Sequence, residues 1–290
     1  EGFRGMTASF MRDDFSQTLP DVDLFQWAKD VADSAASEDI YRNKEGRKTL
    51  RFSKDGRSYF LKIHTGIGWA EIFKNLLQAR LPILSARNEY QAVEALTRLG
   101  VDTMSVAAYS CSGHNPAAIK SVIITDDLVG TVSLEDYCSD WATNSPPFPV
   151  RLKLILKLAD SASKMHWAGI NHRDFYLCHF HLDELSLSED KPRCYLIDLH
   201  RAQIRKKTPR RWLVKDLGGL YFSTARYGMT RRDVLRFVRE YSGRSLRDVL
   251  TEKSALLAAS QREGEKIYRR YYEKKPQFPL QFNAHPGKDI

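Results

Sequence analysis

The sequence lacks the features that would place the protein across a membrane or in an oxidising compartment. No apolar run approaches the roughly 20 residues that a membrane-spanning helix requires. The first 15 residues are polar and charged, with neither the basic start nor the apolar stretch of a signal peptide. The four cysteines form no Cys-x-x-Cys pair and suggest neither a disulfide framework nor a usual zinc motif. These absences predict a cytoplasmic protein with reduced thiols.

Positive charge is abundant and is concentrated in residues 201–250, which we call the basic segment. The formal net charge is +9, and this segment alone holds 14 Lys and Arg against 4 Asp and Glu. Basic surfaces attract nucleic acid, anionic membranes and phosphorylated substrates. Aromatic residues interleave the segment, but no helix-turn-helix, zinc-finger or RNA-binding motif supports a nucleic-acid-binding protein. We expect an anionic membrane surface and an acidic protein as partners, and no nucleic acid. A solvated surface that serves solubility is the alternative.

Two short motifs indicate phosphoryl transfer. The run His172-Arg173-Asp174 matches the start of the kinase catalytic-loop pattern H-R-D-L-x-x-x-N, and Asp198 follows an apolar strand 24 residues after Asp174. Phosphoryl transfer needs one carboxylate that orients the attacking hydroxyl and another that holds the cation bridging the nucleotide phosphates. We therefore assign Asp174 as the catalytic base and Asp198 as the metal ligand.

His179 departs from the kinase pattern. It stands five residues after Asp174, where kinases carry the Asn that binds a second magnesium ion. Magnesium prefers oxygen ligands, and imidazole suits softer metals. His179 could hydrogen-bond Asp198 or a phosphate oxygen, or the site could work with a single ion. We keep His179 as a candidate catalytic residue and as a candidate second metal ligand.

The first half of the chain predicts a nucleotide-binding β-structure. Hairpin signals separate short strands, and the third strand carries Lys62 where kinases have the lysine that grips the α- and β-phosphates. Glu89 borders the apolar stripe of a predicted helix over residues 86–96 and is expected to pair with Lys62. The strand that runs into Asp126 and Leu128 suits a hinge whose backbone binds adenine.

Several features separate the chain from protein kinases. The turn over residues 43–48 contains only Gly46, against the three glycines of the kinase phosphate-covering loop. Asp216, which is expected to anchor the catalytic loop, follows Asp198 after 18 residues, and no A-P-E sequence appears. The activation segment is therefore short, which argues against a groove for peptide substrates.

The predicted architecture is an α+β, protein-kinase-like two-lobe fold. Residues 1–21 are expected to form a flexible N-terminal tail, residues 22–128 a small, mainly β N-lobe, and residues 129–290 a larger α-helical C-lobe, with the active site between the lobes. Residues 68–81 show helical spacing of apolar residues and end before Pro82. Core packing of this helix is the preferred interpretation, and a membrane-surface or partner-docking helix is the alternative.

With these motifs in place, the chain resembles the lipopolysaccharide core heptose(I) kinases of Gram-negative bacteria. The similarity runs from about residue 41 to residue 271. It includes Tyr59-Phe60-Leu61-Lys62-Ile63-His64, Gly66-Ile67-Gly68-Trp69, Asn171-His172-Arg173-Asp174, Cys178-His179-Phe180, Ile197-Asp198-Leu199-His200-Arg201-Ala202-Gln203, Arg211-Trp212 and Lys215-Asp216-Leu217. Such long strings are specific, whereas the bare H-R-D triplet is not.

The resemblance implies dependence on ATP and Mg²⁺ and transfer of the γ-phosphoryl group to a heptose hydroxyl, O4 by family expectation. It also implies a lipopolysaccharide inner-core acceptor and a peripheral location at the cytoplasmic face of the inner membrane. Five residues near Asp198 are candidates to bind this acceptor, with local packing or salt bridges as the alternative for each: His200, Arg201, Gln203, Arg205 and Arg211.

Two competing functions stay open at this point. A pseudokinase or binding module would explain the missing glycines and His179, although Lys62, Asp174 and Asp198 are all present. An aminoglycoside kinase or another small-molecule kinase is the nearest alternative among active enzymes.

Overall fold

The computed structural model describes residues 8–17, 19, 23–44, 46–77, 83–274 and 282. The chain divides into two compact units. The first comprises Glu1–Glu94 and Met104–Val129, and the second comprises Ala95–Thr103 and Gly130–Ile290. The first unit is built mainly from strands and the second mainly from helices, which agrees with the predicted α+β fold.

A six-stranded antiparallel sheet forms the first unit. Its strands are β1 (Ala8–Met11), β2 (Ile40–Lys44), β3 (Arg47–Lys54), β4 (Arg57–His64), β5 (Val106–Ser112) and β6 (Lys120–Asp126). They lie in the order β1-β5-β6-β4-β3-β2. The β3–β4 hairpin turns at Asp55 and Gly56, whose φ angles of 49° and 73° suit the Asp-Gly turn expected from the sequence. Because β4 is paired on both edges, its register is fixed.

Helix α2 covers the core of this sheet. The helices in this part of the chain are α1 (Asp13–Ser16), α2 (Leu24–Ser34), α3 (Gly68–Leu77) and α4 (Arg87–Arg98). The Asp23 side chain caps α2 by accepting a hydrogen bond from the first turn. Leu24, Ala28 and Ala32 follow at helical spacing and are buried with Leu61 of β4 in one cluster. Replacing Leu61 by Ala would cost about 2–5 kcal/mol of stability.

The N-terminal segment 1–21 differs from the predicted flexible tail. Its described residues include β1, which pairs with β5, and α1. Phe15 is 1% exposed, and its ring lies 5.3 Å from that of Tyr59 and 6.0 Å from that of Trp27. A four-residue strand shows too little alternation to be recognised in a sequence, since the sheet that it joins supplies its stability. The other residues of segment 1–21 lie outside the described part of the chain.

Helix α3 also departs from the prediction, because one of its apolar faces is not packed in a core. Trp69, Phe73 and Leu77 are 51%, 58% and 89% exposed, whereas Ile72 is buried. The rings of Trp69 and Phe73 stack at 5.9 Å. Apolar residues cover so much of the helix that one face can pack while another faces solvent. The predicted end before Pro82 lies outside the described residues.

The second unit consists of helices and short strands. Its strands are β7 (Val132–Ser133), β8 (Ile170–Asn171), β9 (Phe180–Leu182), β10 (Cys194–Leu196) and β11 (Gln203–Ile204), which form the sheets β10-β9-β7 and β11-β8. Its helices are α5 (Leu134–Tyr137), α6 (Phe148–Trp167), α7 (Arg210–Thr224), α8 (Arg231–Ser242), α9 (Leu246–Glu252) and α10 (Ser254–Tyr272). No helix among the described residues has both the length and the apolar character needed to cross a bilayer.

Residues 95–103 group with the second unit although they lie inside the predicted first lobe. The Asp102 carboxylate accepts a hydrogen bond from the backbone N–H of Cys194 at 3.0 Å. Thr103 donates its hydroxyl to the carbonyl of Leu196 at 2.7 Å. These bonds hold the segment on β10, a long-range pairing that local sequence patterns do not reveal.

Helices α7 and α10 approach each other closely at glycines. A Cβ placed on Gly218 would lie 2.8 Å from the carbonyl oxygen of Ser260, and one on Gly264 would lie 2.9 Å from the carbonyl oxygen of Gly218. Real Cβ atoms do not tolerate such distances from backbone, since protein interiors are close-packed. The two helices are thus in near backbone contact.

Candidate active site

In the first unit, Lys62 and Glu89 form the expected ion pair. The Nζ of Lys62 lies 2.5 Å from Oε1 of Glu89, and Glu89 is 1% exposed. Leu61 and Ile63 are buried on the other face of β4, so strand alternation turns Lys62 away from that core. A buried carboxylate requires such a partner, because an unpaired charge at this position would be costly. The predicted pairing is confirmed.

The turn that stands where kinases carry a glycine-rich loop is held by a second glycine. Gly46 has a φ of +68°, and its carbonyl accepts the N–H of Thr65 at 2.9 Å. A Cβ on Gly46 would lie 2.1 Å from the carbonyl oxygen of Gly66, so no other residue fits there. The turn between β2 and β3 therefore packs directly on the chain after β4.

Asp126 and Leu128, the predicted hinge residues, lie at the end of β6 and just beyond it. Arg12 donates to both carboxylate oxygens of Asp126, at 2.7 and 2.9 Å. The backbone N–H of Asp126 donates to the carbonyl of Ser105. Asp126 could therefore contact an adenine only through its carbonyl oxygen, because its side chain and its N–H are already bonded.

In the second unit, Asp216 anchors the catalytic loop as predicted. Its buried carboxylate accepts the backbone N–H of His172 at 2.7 Å and that of Arg173 at 2.8 Å. His172 is fully buried and donates Nε2–H to the carbonyl of Ile197 at 2.9 Å. Burial lowers the pKa of His172, so its ring is neutral at pH 7. Arg173 has a φ of 78°, a conformation that these anchoring bonds sustain.

Asp174 is held by a partner that the sequence analysis did not assign to it. Nη1 of Arg201 lies 2.7 and 2.9 Å from its two carboxylate oxygens. Its backbone carbonyl accepts a hydrogen bond from Nδ1 of His179 at 2.7 Å. A carbonyl can only accept, so Nδ1 of His179 carries the proton. Arg201, an acceptor candidate because it follows Asp198 closely, thus contacts the predicted base directly.

Asp198 is delivered by β10 and takes an unusual backbone conformation. Its φ and ψ are 60° and 48°, in the left-handed region that Asp tolerates better than most residues. One carboxylate oxygen lies 2.6 Å from Nδ1 of His200. The other lies 3.7 Å from Nε2 of His179, which is too long for a hydrogen bond. A hydrogen bond to Asp198, one of the three alternatives considered for His179, is therefore not formed between these two atoms.

The residues around Asp198 fit one Mg²⁺ ion shared with a nucleotide. The described part of the chain contains no group of three or more His, Cys, Asp or Glu that could hold a metal. Mg²⁺ is commonly bound by only one or two carboxylates, with phosphates and water completing its shell. Asp198 can supply one such carboxylate, whereas His179 adds no oxygen ligand.

The other acceptor candidates lie close to the catalytic loop, and each contacts a neighbour. Gln203 accepts a hydrogen bond from Nη2 of Arg205 at 2.6 Å. Nη1 of Arg205 donates to the Asn171 side chain at 2.7 Å. The guanidinium of Arg211 lies 4.9 Å from the centre of the Trp212 ring. These residues therefore make the local contacts that the alternative interpretation expects. The contacts do not prevent the same residues from binding an acceptor.

Arg173 and Trp212 were missed by the sequence analysis as site residues. The guanidinium of Arg173 lies 4.8 Å from the centre of the Trp212 ring, a cation–π contact. Two features of the sequence could have indicated them: Arg173 belongs to the H-R-D run, and Trp212 directly follows the acceptor candidate Arg211.

A separate apolar cavity of about 110 Å³ lies in the second unit. Leu158 of α6, Leu220 of α7, Phe237 of α8 and Leu257 of α10 contribute to its lining. No candidate site residue lines it.

The lipopolysaccharide kinase (Kdo/WaaP) family model matches residues 32–241. The chain belongs to this family. The match includes every candidate residue described above, from Lys62 to Arg211.

Two curated relatives carry the same description, lipopolysaccharide core heptose(I) kinase WaaP. The protein of Pseudomonas aeruginosa PAO1 is 50% identical over 233 residues, which cover 80% of this chain and 87% of the relative. The protein of Escherichia coli K12 is 48% identical over 237 residues, which cover 81% and 89%.

A solved structure titled WaaP in complex with acyl carrier protein has the same fold. It superimposes with a TM-score of 0.76 at 40% sequence identity and covers 90% of this chain and 99% of its own. The predicted kinase-like fold and the predicted family are both confirmed.

Proposed function

We propose that this chain is a lipopolysaccharide core heptose(I) kinase that transfers the γ-phosphoryl group of ATP to a heptose hydroxyl, O4 by expectation. The observation that carries the proposal is about one-half identity to heptose(I) kinases along most of both chains. The two carboxylates that phosphoryl transfer needs, Asp174 and Asp198, add chemical support because the backbone just before each is held by hydrogen bonds, at His172 and at Ile197.

Asp174 acts on the acceptor in this proposal. Its carboxylate orients the attacking hydroxyl and accepts the proton as the bond to phosphorus forms. Arg201 holds the carboxylate in one orientation through its contacts at 2.7 and 2.9 Å. The hydrogen bond from His179 to the Asp174 carbonyl fixes the same loop from the other side. Such positioning is the larger part of catalysis by kinases.

Lys62 and Asp198 act on the nucleotide. Lys62 grips the α- and β-phosphates, and Glu89 keeps its ammonium in place. Asp198 holds Mg²⁺, which when bound neutralises the charge that develops on the phosphates. The backbone of Asp126 and Leu128 holds the adenine.

The partners are proposed to be a membrane surface and an acidic protein. The relative of known structure was solved with an acyl carrier protein, and we extend this pairing to the present chain. Several basic side chains are exposed and form no salt bridge within the described part of the chain: Lys206, Lys207, Arg210, Arg231, Arg232 and Arg239. These exposed basic side chains suit an acidic partner. The apolar cavity of the second unit could take a hydrocarbon chain.

We further propose a peripheral location at the cytoplasmic face of the inner membrane. The acceptor of this family is lipid-linked, so the enzyme must work close to a bilayer. The exposed aromatic face of α3, formed by Trp69 and Phe73, supports this location, because Trp and Phe are favoured at membrane interfaces.

A transfer assay tests the function. The purified chain is incubated with ATP, Mg²⁺ and lipopolysaccharide that lacks core phosphate, and the product linkage is mapped by mass spectrometry and NMR. We expect phosphate on heptose I. Asp174→Ala should lower turnover by about 10²- to 10⁴-fold with unchanged ATP binding, whereas the exposed Asp190→Ala serves as the matched control. Transfer to an aminoglycoside but not to lipopolysaccharide would overturn the proposal.

A further inference from the structure

Residues 8–16 bring one arginine to the predicted hinge. β1 pairs with β5 up to Met11, and the backbone N–H of Arg12 then donates to the carbonyl of Ala107 at 2.9 Å. Three residues further, Phe15 of α1 is 1% exposed and belongs to the core of the first unit. The backbone of Arg12 is therefore held on both sides, which gives its side chain a fixed origin.

The guanidinium of Arg12 binds the end of β6 as a planar fork. Nη1 and Nη2 donate to the two carboxylate oxygens of Asp126 at 2.7 and 2.9 Å. Nη1 also donates to the hydroxyl of Ser105 at 2.9 Å, and Nε donates to Asp14 at 2.6 Å. The Arg12 and Asp126 side chains are 27% and 34% exposed, so water screens the pair only in part. A bidentate pair of this kind fixes direction as well as distance, because both groups are planar.

The backbone at the start of the hinge is held from two neighbouring strands. On one side, the N–H of Asp126 donates to the carbonyl of Ser105 at 2.9 Å. On the other side, the carbonyl of Ser58 accepts the N–H of Asp127 at 3.0 Å, and the Ser58 hydroxyl donates to the Asp127 carboxylate at 2.7 Å. The carbonyl oxygen of Asp126, the group through which this residue could contact an adenine, therefore has a set direction.

A carbonyl with a set direction can distinguish adenine from guanine. Adenine carries an amino group at C6, which donates a hydrogen bond, whereas guanine carries an oxygen there, which only accepts. Two acceptors that face each other repel. Arg12 lies outside the residues matched by the family model, 32–241, so the family match assigns it no role.

We propose that Arg12 is a specificity-determining positioning residue of the nucleotide site, which holds the Asp126 carbonyl so that the chain prefers ATP to GTP. This inference rests on the proposed function, in which the backbone of Asp126 and Leu128 holds the adenine. Arg12 acts through Asp126 and does not itself contact the nucleotide. Without the fork, the end of β6 gains freedom, and the carbonyl binds the adenine amino group less well and repels the guanine oxygen less.

Nucleotide binding measured by calorimetry tests the proposal without any acceptor. Wild type and Arg12→Met are titrated with ATP, GTP and inorganic tripolyphosphate, each with Mg²⁺. We expect the wild type to bind ATP at least about tenfold more tightly than GTP, and Arg12→Met to lower this ratio by about three- to tenfold. Tripolyphosphate has no base, so its affinity should be the same for both proteins.

Three variants separate the fork from folding and from charge. Arg12→Lys keeps the charge but cannot form the fork, so an intermediate ratio is expected. Phe10→Ala removes a β1 ring that lies 6.0 Å from that of Tyr90, so it should lower the melting temperature and leave the ratio unchanged. Arg57→Met removes the other arginine bonded to Asp14, at 2.7 Å, and should also leave the ratio unchanged.

A double-mutant cycle shows whether Arg12 acts through Asp126. Asp126→Ala and the combination of Arg12→Met with Asp126→Ala are titrated in the same way. If the fork is the cause, the double variant should show the same ratio as either single variant, because each substitution removes the same interaction. Additive losses would contradict the proposed route.

The outcomes distinguish this proposal from the proposed function. A wild type without preference for ATP, an unchanged ratio in Arg12→Met, or an equal loss in Phe10→Ala would overturn the role of Arg12 while kinase activity persists. A wild-type chain that binds neither nucleotide, or that prefers ATP but transfers no phosphate to lipopolysaccharide, would instead overturn the proposed function.

Discussion

At the scale of single residues, the candidate site is built from charged groups that hold one another in place. Lys62 is oriented by Glu89, and Asp174 is oriented by Arg201. The first pair could be predicted because a strand alternation and a helical stripe limit where each side chain points. The second could not, because contact between residues 27 positions apart depends on the path of the chain after Asp198. The role of each pair in turnover stays a prediction.

His179 offers a sharp test, because Asn can replace only part of it. The amide nitrogen of Asn can occupy the place of Nδ1, which donates to the Asp174 carbonyl. Asn has no atom at the position of Nε2. We expect His179→Asn to keep at least about a third of wild-type turnover, and His179→Ala to lose roughly 10- to 100-fold because the loop is no longer fixed. Steady-state kinetics over a range of Mg²⁺ concentrations measures both.

The contrary result for His179 is equally informative. If Asn lowers turnover as much as Ala does at every Mg²⁺ concentration, then Nε2 contacts a phosphate or Asp198 during the reaction. The assignment of His179 as a loop-positioning residue would then be wrong.

At the scale of elements, sequence periodicity located the helices better than it located their environment. The helix at α3 was predicted, but its exposed face was assigned to the core. An apolar stripe shows that a helix has a hydrophobic face and does not show what covers it. β1 was missed for a related reason, since a four-residue edge strand depends on its partner β5.

The exposed face of α3 leads to a prediction for membrane binding. Trp69→Ala with Phe73→Ala should weaken binding to vesicles of mixed anionic and neutral lipids by about tenfold, because two half-exposed aromatic rings can no longer enter the interface. Sedimentation with vesicles measures the effect. Leu185→Ala, which removes another highly exposed apolar side chain, is the matched control. Unchanged sedimentation of the double variant would exclude α3 as the membrane contact.

Helix α8 depends on one buried carboxylate. Asp233 is 3% exposed and accepts hydrogen bonds from Thr230 and from Arg151, whose Nη2 lies 2.7 Å away. Burial alone would raise the pKa of Asp233, but the bonds from Thr230 and Arg151 outweigh it and lower the pKa. The stabilisation is therefore present above the unfolded pKa of 3.8 and is lost as pH falls through the folded value.

Removing this carboxylate should destabilise the protein strongly. We expect Asp233→Asn to cost about 3–5 kcal/mol, because Arg151 is left buried without a counterion. Thermal unfolding at pH 7 measures the loss. The control is Glu252→Gln, which breaks the exposed pair with Arg244 and should leave the free energy of unfolding nearly unchanged. Equal shifts for the two variants would contradict the structural account.

At the scale of the whole molecule, the net charge and the family could be predicted from the sequence. Which basic residues pair with neighbours and which are exposed could not. Arg201, Arg205 and Arg236 of the basic segment are bonded to neighbours. Lys206, Lys207 and Arg210 are exposed. This division depends on the fold, so a count of basic residues along the chain could not reveal it.

The exposed group should recruit an anionic acceptor. Charge reversal at Lys206, Lys207 and Arg210 should raise the KM for lipopolysaccharide several-fold and leave the KM for ATP nearly unchanged. Added salt should weaken the wild type in the same direction, since exposed charges are screened over about 10 Å at 0.1 M ionic strength. Kinetics at several salt concentrations should therefore show the two proteins converging. If neither charge reversal nor added salt changes the KM for the acceptor, these residues serve solubility alone.

The near contact of α7 and α10 links the position of α10 to the position of the catalytic loop. None of the candidate site residues lies on α10, yet its backbone touches α7 at Gly218, two residues after the Asp216 that fixes the loop. A methyl group at Gly218 or Gly264 would push the helices apart and carry Asp216 with them. Two hydrogen atoms, where every other residue has a carbon, thus set the spacing on which the alignment of Asp174 depends.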